Sequence, residues 1–218
     1  MSGAPRGNGM RQFLSAMRAP AATKFAPLAG LGVGVIAGGI YWLAAQLWPS
    51  SVALILSVLA GALLTEDVRR AGAASRIEIL SELFYFLLKY NVLMALSAAK
   101  LPFDAPPNTA LWLIMICGYG AGRSLLVCLL ASRMPPNSAP LSNSGVGVAL
   151  LLGFAPALLL GIPGLIGLAA AVVSVIGLSG ALRRGMTRHD APRNGVMLAP
   201  WLAETCFYLG AQAGWSYV

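Results

Sequence analysis

Seven long apolar runs dominate the chain, separated by short segments rich in arginine, proline and small polar residues. They fall near residues 27–48, 51–65, 79–99, 110–131, 145–161, 163–182 and 195–214. A helix needs about 20 apolar residues to cross a hydrocarbon core of about 30 Å, so each run is a candidate membrane-spanning helix. The second and fifth runs are short for a full crossing, and tilt, local thinning or a partly re-entrant path would accommodate them. Ahead of the first run, residues to about Met10 are Gly- and Pro-rich and read as disordered. Residues 9–18 then read as a short amphipathic helix with Arg11 and Arg18 on its polar side, suited to the membrane surface. No apolar stretch follows these arginines directly, so the segment does not read as a cleaved signal peptide. The pattern predicts an all-α, polytopic integral membrane bundle of about seven transmembrane helices with an N-terminal surface helix. Residues 1–24 form the disordered or amphipathic segment, and residues 25–218 form one transmembrane helical domain.

Composition narrows the class further. Of 218 residues, 58% are hydrophobic and 10% charged, against roughly 25% charged in an ordinary soluble domain. The mean hydropathy is +0.76. No water-soluble fold hides that much apolar surface behind so few charges. Disorder, collagen and a nucleic-acid-binding module are excluded as classes. The formal net charge of +8 would suggest nucleic acid in a soluble protein, but here the cations sit in short loops. With the N-terminus in the cytoplasm, Arg6, Arg11, Arg18, Lys24, Arg69, Arg70, Arg76, Arg133, Arg183, Arg184, Arg188 and Arg193 share one side and Lys100 takes the other. That asymmetry orients the chain by the positive-inside rule, with an odd number of crossings and the C-terminus outside. Trp48 and Trp215 mark span ends as interfacial anchors. Cys117 and Cys128, eleven residues apart on one helix and separated by about 16 Å of rise, are too far apart for a disulfide. Together with Cys206 they read as small buried hydrophobes.

Three features carry candidate chemistry. The loop Thr65-Glu66-Asp67-Val68-Arg69-Arg70, followed by Ser75-Arg76-Ile77, sets two adjacent acids at the end of a span. Its oxygens suit Mg2+, and its arginines suit phosphates. A solvated turn carrying positive-inside arginines accounts for the same residues. Within the spans, Glu82, Lys89, Arg123 and Glu204 are each costly in hydrocarbon unless paired or wetted. Glu78, Glu82 and Lys89 line one face of the third span. Arg123 and Glu204 lie at matching depths of about 12 and 13.5 Å from the cytoplasmic ends of their runs. These four charges sum to zero, which predicts an interior polar cluster with Arg123 neutralised by Glu204 or Glu82, serving either as a functional site or as a structural pin. The third feature is Arg183-Arg184-Gly185-Met186-Thr187-Arg188-His189-Asp190, ahead of the last span, which could receive a diphosphate with its metal or remain a solvated basic loop.

The order of these segments resembles the cobalamin synthase family, adenosylcobinamide-GDP ribazoletransferase, over nearly the whole chain. Phe25-Ala26-Pro27-Leu28-Ala29-Gly30 with Tyr41-Trp42-Leu43 looks like the family's first span. Gly61-Ala62-Leu63-Leu64-Thr65-Glu66-Asp67 looks like the stretch leading into its His-Glu-Asp-Gly-Leu-Ala-Asp motif, and Ser75-Arg76-Ile77 is similar to its Asp-Ser-Arg-Ile-Gly motif. Gly122-Arg123 fits a Gly-Arg in a later span. Thr187 to Asp190 falls where the family has Thr-Gly-Asp, and Glu204 falls near a glutamate of the last span.

The resemblance implies a Mg2+-dependent transfer that joins an activated cobinamide to α-ribazole with release of GMP, in the bacterial cytoplasmic membrane. It casts the acids of the first motif as the metal-binding part; read from residue chemistry, Glu66, Asp67 and Asp190 are the candidate metal-binding and catalytic residues, and Arg69, Arg70, Arg76 and Arg188 the candidate phosphate-binding ones. The chain departs from the pattern in the acidic motif. Thr65 replaces histidine, Val68-Arg69-Arg70-Ala71 replaces Gly-Leu-Ala-Asp, and only Val68 to Ala74 separate the two motifs. Fewer carboxylates and more arginines turn a metal site toward an anion site. The expected function is therefore a repurposed, non-catalytic scaffold or accessory subunit of a membrane complex, with no certain cofactor. The alternative is an active ribazoletransferase that uses Mg2+. Expected partners are the lipid bilayer and other membrane subunits, and not nucleic acid.

Overall fold

A computed structural model describes residues 25–65, 76–98, 107–133, 143–185 and 192–216. Among them are seven helices and no strand: α1 (Ala26–Ala44), α2 (Ser50–Leu64), α3 (Arg76–Ala98), α4 (Pro107–Arg133), α5 (Asn143–Leu158), α6 (Ile162–Gly185) and α7 (Pro192–Trp215). One helix falls on each apolar run. The predicted N-terminal surface helix lies outside the described residues.

Local chemistry sets the boundaries. Pro27 lies in the first turn of α1, where its missing N–H costs nothing and its fixed φ suits the helix. The first run ends earlier than hydropathy alone suggests. α1 stops at Ala44, the chain turns through Ala45 to Trp48, and Pro49, with φ −54° and ψ 149°, sends it into α2. Apolar residues 45–48 are thus a turn, held by N–H bonds from Ala45 to Tyr41 and from Trp48 to Ala44. Between α5 and α6 the reversal occupies Leu159 to Gly161, and Gly161 adopts φ 65°, a left-handed conformation that glycine enters without penalty. The two runs read as short do give short helices: α2 has 15 residues and α5 has 16.

α4 is the central element. It packs most extensively on α1, α5 and α7, and also meets α3 and α6. Its apolar window is 72% buried against 33% for that of α6, which lies at the periphery against α7. Three helical segments, Ala26–Ala44, Thr109–Ser132 and Ile162–Ala181, are long and apolar enough to cross a membrane. Ser50–Leu64, Leu83–Ala98 and Ser144–Leu158 are shorter apolar helices.

The distribution of side chains is inverted relative to a soluble protein. Leu43, Leu63, Phe84, Leu151, Val173 and Ile176 are all more than half exposed, while Ser57, Lys89, Ser124 and Glu204 are buried. An apolar exterior around a polar-containing interior is what hydrocarbon solvent favours. Interior hydroxyls pin helices together: Ser57 Oγ donates to the Ala37 carbonyl at 2.6 Å, joining α2 to α1, and Ser124 Oγ donates to the Ala149 carbonyl at 3.0 Å, joining α4 to α5.

Candidate functional site

The polar interior concentrates where α3, α4 and α7 meet. On α3, Tyr85 and Lys89 stand four residues apart and so share a face. On α7, Trp201, Glu204 and Tyr208 follow the three- and four-residue spacing of one face. α4 contributes Tyr119 and Arg123.

Glu204 is the hub. Lys89 Nζ forms an ion pair with Glu204 Oε1 at 2.5 Å, with side-chain exposures of 3% and 5%. Tyr208 donates to the same oxygen at 2.7 Å, and Tyr85 donates to Oε2 at 2.8 Å. Lys89 also donates to Tyr119 Oη at 2.8 Å, and its ammonium lies 4.0 Å from the centroid of the Tyr119 ring. Tyr85 stacks on Trp201 with centroids 5.0 Å apart and planes 14° from parallel. Charges this deep persist only when paired and hydrogen-bonded, and both conditions hold here.

Two glycines make room for the phenols. A Cβ on Gly61 of α2 would overlap Tyr119 Oη, and one on Gly118 of α4 would overlap the ring of Tyr208. Gly122 brings α4 onto the proline-bearing segment of α7, where a Cβ would sit 2.8 Å from the Pro200 carbonyl oxygen. The close approach sets Arg123 and Glu204 around one small cavity of about 30 Å³, whose lining also includes Thr65, Lys89, Tyr119 and Trp201. By volume it holds about two water molecules.

Lys89, Arg123 and Glu204, expected together from their intramembrane charge, do line this single cavity. Glu204 pairs with Lys89, whereas the expectation was that Arg123 would be neutralised by Glu204 or Glu82. Counted along the helices, Lys89 and Glu204 lie at closely matching depths. Glu204 lies twelve residues into α7 and Lys89 thirteen into α3, about 18 and 20 Å deep, whereas Arg123 is ten residues from the end of α4, about 15 Å. Glu82 belongs to α3, but its side chain lies outside the described residues, as does that of Arg76 at the start of the helix. Glu66, Asp67, Arg69, Arg70, Arg188 and Asp190 all lie outside the described residues. Among the described residues, no three His, Cys, Asp or Glu side chains gather to hold a metal ion. Cys117, Cys128 and Cys206 are free thiols, the first of them buried.

Reasoning from charge alone missed Tyr85, Tyr119 and Tyr208. Their signal was present, because each stands four residues from a charge within an apolar run: Tyr85 before Lys89, Tyr119 before Arg123, and Tyr208 after Glu204. At that spacing, side chains on a helix meet. No family model, no curated protein and no solved structure matches this chain.

Proposed function

We propose that the chain is a seven-span protein of the bacterial cytoplasmic membrane, with its N-terminus in the cytoplasm. In this reading it is built on a cobalamin synthase-like scaffold and acts as a non-catalytic scaffold or accessory subunit of a membrane complex. Support for the crossings comes from the three long apolar helices, the three shorter ones and the loop arginines gathered on one side. The observation that carries the non-catalytic reading is the commitment of Glu204. Diphosphate transfer rests on carboxylates that hold metal and on cations that neutralise developing charge in a wet site. Glu204 instead accepts from Lys89, Tyr85 and Tyr208, which makes it a clamp across α3 and α7. The shortened loop between Asp67 and Ser75 supports the same reading.

One observation favours the enzymatic alternative. Thr65 lines the cavity, and Glu66 and Asp67 follow it directly in the chain. Mg2+ held by Glu66, Asp67 and Asp190 would restore ribazole transfer. Expression in a strain lacking its own cobalamin synthase separates the two. The expected outcome is no growth on supplied cobinamide. Cobinamide-dependent growth that disappears with Asp67→Asn would establish the enzyme and overturn the scaffold.

A further inference from the structure

α3 packs less extensively on its neighbours than α4 does, and it leaves a whole face outward. On that face Leu80, Phe84 and Leu87 are 67%, 67% and 54% exposed. Asn91 and Ala98 are exposed beyond them, and Met94 between these two is half-buried. The steps along these six residues are four, three, four, three and four. A period of about 3.5 residues is that of the seam between two helices that coil around each other, with Phe84, Asn91 and Ala98 at its a positions and Leu80, Leu87 and Met94 at its d positions. At about 100° per residue, the stripe is centred opposite Lys89, so it points away from the bundle.

Leucines on such a face need no explanation, because lipid tails are as apolar as leucine. Asn91 does need one. It lies eight residues from Leu83 and seven from Ala98, at the middle of an apolar helix. Half-buried serines hide their one proton on their own helix, as Ser174 does on the Ala171 carbonyl. A carboxamide has two N–H donors and a carbonyl oxygen. Asn91 donates one N–H to the Leu87 carbonyl at 2.7 Å. Among the described residues, its other N–H and its carbonyl oxygen have no partner. In hydrocarbon, where water offers no alternative, each unmatched group is costly.

The complement of this amide is one donor and one acceptor side by side. An ammonium offers no acceptor and a carboxylate no donor, whereas a second Asn91 supplies both. Copies of one chain cross the bilayer in the same direction, so a two-fold axis along the membrane normal sets two α3 helices parallel and at equal depth. Asn91 of one copy then meets Asn91 of the other. A single asparagine at an a position also specifies register and the number of helices that associate.

We propose that the outer stripe of α3 is a self-association face, on which the chain pairs with a second copy of itself through two reciprocal Asn91 carboxamide bonds at the centre of the seam. The inference rests on the bilayer placement proposed above and is independent of the scaffold's catalytic status. Release of the protein from membranes by alkaline carbonate would refute that placement; pairing is measured separately, on purified protein.

Sedimentation equilibrium of the purified full-length protein in density-matched detergent gives the dissociation constant of the pair. The native chain should populate a dimer as its concentration relative to detergent rises. Asn91→Leu keeps a surface residue apolar and should weaken pairing about tenfold, the effect of two interhelical bonds. Its melting temperature at dilutions where both chains are monomeric should match that of the native chain. In native membranes, with the native chain as baseline, oxidation should cross-link Phe84→Cys, because facing a positions lie within disulfide reach. Leu83→Cys, turned about 100° round the helix, should stay uncross-linked. A chain that stays monomeric at every concentration would assign the face to lipid or to a different subunit and overturn the proposal. Equal pairing by Asn91→Leu, or equal cross-linking by Phe84→Cys and Leu83→Cys, would overturn it as well.

Discussion

α4 makes two very different contacts. Toward α1 it presents backbone. A Cβ on Gly34 would lie 2.6 Å from the Ile116 Cα, so the two helices touch main chain to main chain. Polar links there are single bonds to carbonyls, such as Trp112 Nε1 to the Val35 oxygen at 3.2 Å. Toward α3 and α7 it presents Tyr119, which joins an ion pair buried with three phenols. Apolar surroundings give helices little hydrophobic reason to associate, because lipid tails are as apolar as leucine. Adhesion must then come from close packing or from polar groups that have no better partner. Toward α1, α4 relies on close packing; toward α3 and α7 it adds the buried ion pair to the close approach at Gly122. The packed side tolerates little change in shape, whereas the polar side tolerates little change in charge.

The largest expected effect is on the polar side. Glu204→Gln leaves Lys89 buried without its counter-charge, and breaking such a pair typically costs about 3–5 kcal/mol. Thermal unfolding in detergent should show a large fall in melting temperature. The double variant Lys89→Met with Glu204→Gln should recover a good part of it, since removing both charges removes the desolvation penalty. If the double variant is as unstable as the single one, the comparison fails, because shape rather than charge would govern this contact too. A smaller loss is expected on the packed side. Gly34→Val forces α1 off α4 and should cost about 1–3 kcal/mol, with no recovery from any charge change. Smallest is Ser57→Ala, which removes one bond to the Ala37 carbonyl and should cost about 0.6 kcal/mol in the same melt.

The helices were legible because each long apolar run must bury or solvate its backbone in one way, by helix formation. What hydropathy could not place was the break inside the first run. Residues 45–48 are apolar enough to continue a helix, and only Pro49 marks the stop. The cluster was legible in its ionised members, since Lys89, Arg123 and Glu204 stand out in any apolar segment. Their pairing was not, because depth counted from the ends of apolar runs differs from depth counted along the folded helices. Tyr85, Tyr119 and Tyr208 were hidden by chemistry. A tyrosine in an apolar run passes for aromatic core until a charge four residues away gives its hydroxyl a partner. The expected metal and phosphate residues from Glu66 to Arg70, with Arg188 and Asp190, belong to segments outside the described structure.

The end of α2 also bears on the charge balance of the cavity. The helix ends at Leu64, and Thr65 lies at the cavity with its backbone N–H and its hydroxyl turned back onto the Gly61 carbonyl. Aligned peptide dipoles give the C-terminal end of a helix about half a negative charge, and a cation near it gains about 0.3–1 kcal/mol, rising to about 2 where partly buried. Lys89 and Arg123 line the same space against the carboxylate of Glu204. The backbone of α2 therefore adds the helix's negative end to the lining of that space. A fractional negative pole thus stands at the cavity that Lys89 and Arg123 line, and lengthening α2 by one turn would carry that pole past it.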